Sequence, residues 1–426
     1  MKKFVPFAVA MAFAATFSLA AQNAITLKMA DNLPDRTTTW GAVVEKINTE
    51  FKAANPGVEI VTESYQDQPY QQKMKIYATA NQLPDVFKYW SFSTLLKPLV
   101  DGGFVLPLKT SDFAKYGYMP GSLESNVWGG KLYGIPVSAD MWVIYYNKKL
   151  FKDAGIDKVP GTIDELKALA SKFKAKGIIP IVTDGKDAWP LSETFDQLAW
   201  RISGDSTLPQ KALDRKIKFT DPVFVQAARE LQNLTSNKAG LFQEDLMVSD
   251  YGASRNLFGQ GKAAMYLMGS WELGLASDSN FSDEFRANVD VFKFPLVKGG
   301  KGKIDDLVAW YGGNYVVSSS SKNKDLAVKY LQYYAQRFPS LAWEAQACFP
   351  AQKVQPRAND TVLAKHLLQI AADAKATSGA ACLDRSTAQF KDDNQNLMRD
   401  LCSGLISPED FCKKLDAAAE KAAKQQ

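Results

Sequence analysis

The stretch Ala24-Ile25-Thr26-Leu27-Lys28-Met29-Ala30 alternates apolar and polar residues and ends in the turn-prone Asp31-Asn32-Leu33-Pro34-Asp35. Val44, Ile47 and Phe51 then recur at helical spacing, and Asn55-Pro56-Gly57 stops that helix ahead of Val58-Glu59-Ile60-Val61-Thr62. Alternation, helical spacing and a second extended run predict strand, helix, strand, the opening of an α/β fold. The same grammar continues outward. Tyr70, Met74 and Tyr77 mark a second helix, Leu83-Pro84 breaks it, and Asp85 to Trp90 reads as a third strand. Thr162-Ile163-Asp164-Glu165 is a capping box for a helix whose buried face is Leu166, Leu169 and Phe173, and Ile178 to Val182 returns as a strand. Strands are also expected at Val289 to Phe292 and Tyr315 to Val317, and Ser407-Pro408-Glu409-Asp410 starts a closing helix.

The chain has 426 residues, 46% of them hydrophobic and 12% aromatic. That is enough for a substantial core and, at roughly 100–200 residues per domain, for about two domains. The net charge is +5, with basic residues scattered rather than gathered, so nucleic acid is not an expected partner. Met1-Lys2-Lys3, the apolar run Phe4 to Ala15 and the small-residue end at Ser18 and Ala20 read as a secretory signal over residues 1–20; an uncleaved anchor is the alternative. No cysteine lies near the cut to carry a lipid, and no later apolar run is long enough to span a bilayer. The expectation is a soluble, exported protein.

Cys348, Cys382, Cys402 and Cys412 all fall in the last fifth of the chain. An even count in an exported protein predicts disulfides; three pairings are open, of which 402–412 across a turn with 348–382 is favoured, and four buried thiols is the alternative. No cysteine or histidine spacing suits a metal, and no cofactor is expected.

Several of the nine tryptophans stand beside turn signals: Trp90 before Ser91-Phe92-Ser93, Trp189 before Pro190, Trp271 after Gly269-Ser270, and Trp310 before Tyr311-Gly312-Gly313-Asn314. Ligands of α/β sheets sit beyond the carboxyl ends of strands, and an indole there suits the C–H face of a sugar ring. Core or rim aromatics are the alternative for each. Asp31, Asn32, Gln66 and Asp140 fall at matching strand ends, where they would bind hydroxyls. A glycosidase would use two such carboxylates, but no nucleophile elbow, phosphate loop or zinc-protease motif is present.

Six motifs in order resemble the extracellular solute-binding proteins that deliver carbohydrates to ABC importers, the maltose-binding-protein-like class. They are Leu83-Pro84-Asp85-Val86-Phe87; Gly130 to Pro136; Tyr145-Tyr146-Asn147-Lys148-Lys149-Leu150-Phe151 with Ala154-Gly155; Pro160 to Leu166; Phe258 to Met265 with Gly269-Ser270-Trp271; and Lys322 to Ala327. The resemblance implies a periplasmic-binding-protein type II-like fold: lobe I from 21–137 plus 295–347, lobe II from 138–294 plus 348–426, joined by a hinge with the ligand cleft between them. It implies a monomeric receptor that performs no catalysis and hands a carbohydrate, an oligosaccharide rather than a monosaccharide, to permease subunits in the inner membrane. A chemoreceptor-coupled binding protein is compatible with the same fold. By position, Asp140 falls at the family's acidic sugar contact, Trp271 at its stacking tryptophan, and Trp90 near the aromatic after the third strand. Asp31, Asn32 and Gln66 fall on the first two loops, while Trp189, Trp310, Tyr311, Asp384 and Arg385 lie where contacts vary between members.

Overall fold

The computed structural model describes residues 24–425; the expected signal segment lies outside them. Eight strands form the main sheet: β1 (Ile25–Asp31), β2 (Val58–Ser64), β3 (Val86–Tyr89), β4 (Ile135–Asn147), β5 (Ile179–Val182), β6 (Ala263–Gly269), β7 (Val289–Lys293) and β8 (Ala309–Val317). Their spatial order is β2-β1-β3-β8-β4-β6-β5, with β7 also paired to β4. β1 runs parallel to β2 and β3, so the chain leaves all three at one edge, where Asn32, Gln66 and Trp90 lie.

The first half of this sheet is a sandwich that the residue alternation dictates. Leu27, Met29, Val86, Tyr315 and Val317 face a core built on helices α1 (Thr39–Ala54) and α5 (Lys324–Glu344). Ala30, Phe87, Tyr89 and Val316 face the opposite way, against Tyr70 and Met74 of helix α2 (Asp67–Thr79).

A larger, separate core gathers the second half. It includes Val143, Tyr145, Ile181 and Met265 from strands, and side chains from α3 (Ile163–Lys174), α4 (Trp189–Ser203), α6 (Val362–Asp373), α7 (Ala388–Cys402) and α8 (Pro408–Ala423). The expected capping box is present: Thr162 Oγ1 accepts from Glu165 N, and Glu165 Oε2 accepts from Thr162 N.

β4 joins the two halves. Its residues 135–141 pair with β8, and its residues 142–147 pair with β6 and β7. This is the two-lobe type II architecture, with one continuous strand carried from one lobe's sheet into the other's.

Two expectations are corrected here. All four cysteines are buried free thiols, not disulfides. Cys348 packs with Leu27 and Tyr330 in one core, while Cys382, Cys402 and Cys412 pack in the other, which separates the expected 348–382 pair. Burial pushes the Cys402 and Cys412 thiols up to about 12. The second correction concerns Tyr311-Gly312-Gly313-Asn314, which lies inside β8 rather than in a turn. Its glycines serve side-chain space, as the site shows.

Candidate functional site

A cavity of about 280 Å³ lies where the two cores meet. The loops after β1, β2 and β3 bring Asn32, Gln66 and Trp90 to it; β4 and β8, the strands that run between the cores, bring Asp140 and Trp310. The start of α4 adds Trp189 and Glu193, the 3-10 turn Ser270–Ala276 adds Trp271 and Glu272, and the C-terminal region adds Asp384 and Lys391. Of the eleven expected residues, eight line this cavity and Asp31, Tyr311 and Arg385 do not.

Indoles form a continuous run along the wall. Trp189 and Trp271 have ring centroids 5.7 Å apart, and Trp271 and Trp310 are 5.8 Å apart. Behind them Trp142 is fully buried, 5.9 Å from Trp189 and 6.3 Å from Trp271. A Cβ on Gly269 would come within 2.0 Å of the Trp271 ring, so the family-like Gly-Ser-Trp sequence is a steric requirement: only a bare backbone lets the indole fold over it. Trp189 opens α4 with Pro190 in the first helical turn, where its missing N–H costs nothing.

The polar groups fall into engaged and open sets. Arg255 donates to Glu272 at 2.9 Å and to Asp278 at 2.8 Å, and the Tyr251 hydroxyl also donates to Glu272. Lys391 donates to Asp384 at 2.8 Å, an oxygen that also accepts from Thr94. Lys88 donates to Asn32 at 2.7 Å with its ammonium 4.2 Å from the Trp40 ring centroid, and burial lowers its pKa.

Asp140 and Glu193 differ from these. Asp140 is 6% exposed; Ser138 donates to its Oδ2, and Oδ1 has no partner. Burial pushes its carboxyl up to about 7 against the pull of the Ser138 hydrogen bond and the Lys88 charge. Glu193 is 2% exposed; Ala381 N donates to Oε1, and Oε2 has no partner. Burial likewise holds its carboxyl well above the usual carboxylate range. A buried polar oxygen without a partner marks a place where something else binds or strain is stored.

The glycines of β8 create these positions. A Cβ on Gly312 would lie 1.6 Å from Asp140 Oδ2, and one on Gly313 would lie 2.9 Å from Lys88 Cε. The Gly-Gly pair thus gives the two ionisable side chains their room.

The three expected residues away from the wall are engaged elsewhere. Asp31 is wholly buried and accepts from Arg36 and Ser64, each at 2.6 Å, holding the first loop. Tyr311 donates its hydroxyl to Pro120 O at 2.8 Å, and Arg385 lies 3.7 Å from Asp196. Residue spacing gave no warning of Trp40, Lys88, Glu193 or Arg255. Trp40 had a usable signal, since it follows the Pro34-Asp35 turn at a strand end; Lys88 stood out only as a charge inside a buried strand.

Residues 30–337 match the model of the bacterial extracellular solute-binding proteins. The chain belongs to that family. Relatives of this solute-binding protein include the multiple sugar-binding protein of Streptococcus mutans, 26% identical over 68% of this chain and 67% of that one. The maltotriose-binding protein of Pyrococcus abyssi is 25% identical over 68% of this chain and 59% of that one, so the match spans under two thirds of that relative. Among solved structures, one from work on xylan utilization by the thermophilic bacterium Caldanaerobius polysaccharolyticus superposes with a TM-score of 0.83 at 30% identity, covering 92% of this chain and 99% of that one. A chitin oligosaccharide binding protein superposes with a TM-score of 0.82 at 24% identity, covering 94% and 100%. No helix among the described residues of this solute-binding protein is long and apolar enough to cross a membrane.

Proposed function

We propose that this protein is the carbohydrate receptor of an ABC importer: it captures an oligosaccharide in the interlobe cleft and presents it, chemically unchanged, to the membrane permease. The observation that carries the reading is the indole run Trp189, Trp271 and Trp310 beside buried carboxylates with open acceptor oxygens. Indoles take the apolar faces of sugar rings, and open carboxyl oxygens accept from their hydroxyls. The sugar-binding names of its relatives support the same class of ligand.

On this reading Asn32, Gln66, Trp90, Asp140, Trp189, Trp271, Trp310 and Asp384 contact the ligand, and Asp31, Tyr311 and Arg385 shape the loops behind them. The protein acts as an exported, periplasmic monomer without a lipid anchor. Its lobes divide as 21–137 plus 295–347 and 138–294 plus 348–426, with one refinement. We infer that the second crossing lies on β8 beside the first on β4; the packing of Val297, Leu307 and Val308 in the larger core supports this. Bending there would close the lobes on the ligand, which shifts the population toward the form the permease recognises.

The test is the melting temperature of the mature protein against mono- and oligosaccharides. A ligand at about 100 times its dissociation constant adds roughly 2.7 kcal/mol of stability. A selective rise, with the sugar recovered intact, is the expected result. A flat panel on protein unfolded and refolded to strip trapped ligand would overturn the reading, and a cleaved sugar would replace it with an enzyme.

A further inference from the structure

The charges on the cleft wall are unbalanced. Seven acidic side chains line it, those of Asp35, Asp67, Asp140, Glu193, Glu272, Asp278 and Asp384, against the three basic ones Lys88, Arg255 and Lys391, and burial raises the pKa of Asp67, Asp140 and Glu193. Each cation is already engaged: Arg255 between Glu272 and Asp278, Lys391 on Asp384, and Lys88 on Asn32 and the Trp40 face. The two open acceptors, Asp140 Oδ1 and Glu193 Oε2, both belong to carboxyls more than nine-tenths buried.

We propose that Asp140 and Glu193 make the cleft a charge filter, which accepts the hydroxyl donors of an uncharged saccharide and turns away a saccharide that carries a carboxylate. The inference rests on the carbohydrate reading and adds the charge class of the ligand. Burial raises the pKa of both groups, and each open oxygen becomes an acceptor-only carboxylate when a ligand's donor stabilises the charge. A sugar hydroxyl supplies one. A uronate oxygen supplies another acceptor and a like charge in a site with little water to screen it. Discrimination by an unfavourable contact against the wrong ligand needs no extra attraction toward the right one.

Glu193 is the specificity-determining residue that the family-like motifs do not mark. It sits on the second face-turn of α4, and its Oε1 is held by the backbone of Ala381, 188 residues away. That tether fixes the carboxylate and leaves Oε2 facing the need for a donor.

The experiment is isothermal titration of the mature protein with neutral tetrasaccharides, namely maltotetraose, cellotetraose, xylotetraose and chitotetraose, each beside a form bearing one hexuronic acid residue. The expected result is binding of at least one neutral member, with its acidic partner at least 100-fold weaker. Glu193→Gln and Asp140→Asn, each with an unchanged melting temperature in the absence of sugar, should narrow that ratio at least tenfold, because a side-chain amide can donate to a carboxylate. An acidic member that binds within threefold of its neutral partner, or a ratio that neither folded variant changes, would overturn the filter while leaving the carbohydrate reading in place. Failure of every saccharide, neutral and acidic, would overturn both.

Discussion

Asn280 Nδ2 donates a hydrogen bond of 2.8 Å to Asp35 Oδ2, and the two residues belong to stretches that pack in different cores. Asp35 sits just ahead of α1, where Oδ1 accepts from Thr37 N and Thr37 Oγ1 and Oδ2 accepts from Thr38 Oγ1. Burial works to raise its carboxyl, but the hydrogen bonds from Thr37, Thr38 and Asn280 outweigh it and hold the group at about 2. The contact bridges the lobes beside the cleft, and Thr94 to Asp384 at 3.3 Å is a second such bridge. Asn280→Ala removes one hydrogen bond that forms only when the lobes meet, worth about 0.5–1.5 kcal/mol. Ligand affinity should fall roughly threefold to tenfold, mostly through faster dissociation measured by stopped-flow fluorescence. A changed association rate with unchanged dissociation would disprove the latch.

The Gly312 backbone under Asp140 makes a sharper test of the site than truncation does. Gly312→Ala places a methyl where Asp140 Oδ2 now lies, so the carboxylate must swing away and the Ser138 hydroxyl, 3.1 Å from the same point, must give with it. We expect at least a tenfold loss of sugar affinity in wild-type background and no further loss when the same change is made in Asp140→Ala, the mark of two residues acting as one unit. Gly269→Ala should act in the same way on Trp271, which it would push off its seat. Additive losses in the paired variants would separate these glycines from the side chains above them.

Binding should depend on pH through Asp140. Its carboxyl lies at about 7 in the folded protein, above the ordinary value of 3.8, so between those values the unfolded chain ionises while the folded one keeps its proton. This group's contribution to stability therefore falls as pH rises through that window. Sugar hydroxyls favour the ionised form, so affinity should rise with pH, on the order of tenfold between pH 5.5 and 8. The neighbours facing it are the Ser138 hydroxyl and the Lys88 ammonium, and Glu193 shares the cavity. In Asp140→Asn the slope should shrink to whatever Glu193 contributes. An unchanged slope in titrations of that variant would remove Asp140 from the ligand's protonation linkage.

Four buried thiols make a redox prediction. Alkylation of the native protein should be slow, because burial disfavours every thiolate, while the unfolded, unreduced chain should take up four labels. Dithiothreitol should leave the melting temperature unchanged. Two labels instead of four, read by intact-mass spectrometry, would restore a disulfide.

Local periodicity made the frame readable. Leu27 and Met29 against Ala30, or Thr162 with Glu165, declare their roles within a few residues, and both structures follow. Trp271 was legible because it follows the Gly269-Ser270 turn signal in a family-like motif. Lys88 and Glu193 were not, because what defines them lies far along the chain: Asn32 is 56 residues from Lys88, and Ala381 is 188 from Glu193. The disulfide expectation failed for a related reason, since cysteine count carries no information about which core each residue enters. The Gly312-Gly313 pair misled in the opposite sense: glycine reads as a turn, whereas here it is the empty half of a packing arrangement.

The cleft draws its walls from Asn32 near one end of the described chain and Lys391 near the other. No N-terminal fragment can therefore carry a finished pocket, however well its first strands fold. A receptor caught midway through export, or clipped behind α6, would have tryptophans but no Asp384 and Lys391 to complete the wall. On the proposed function, possession of cargo thus certifies the length and completeness of its carrier.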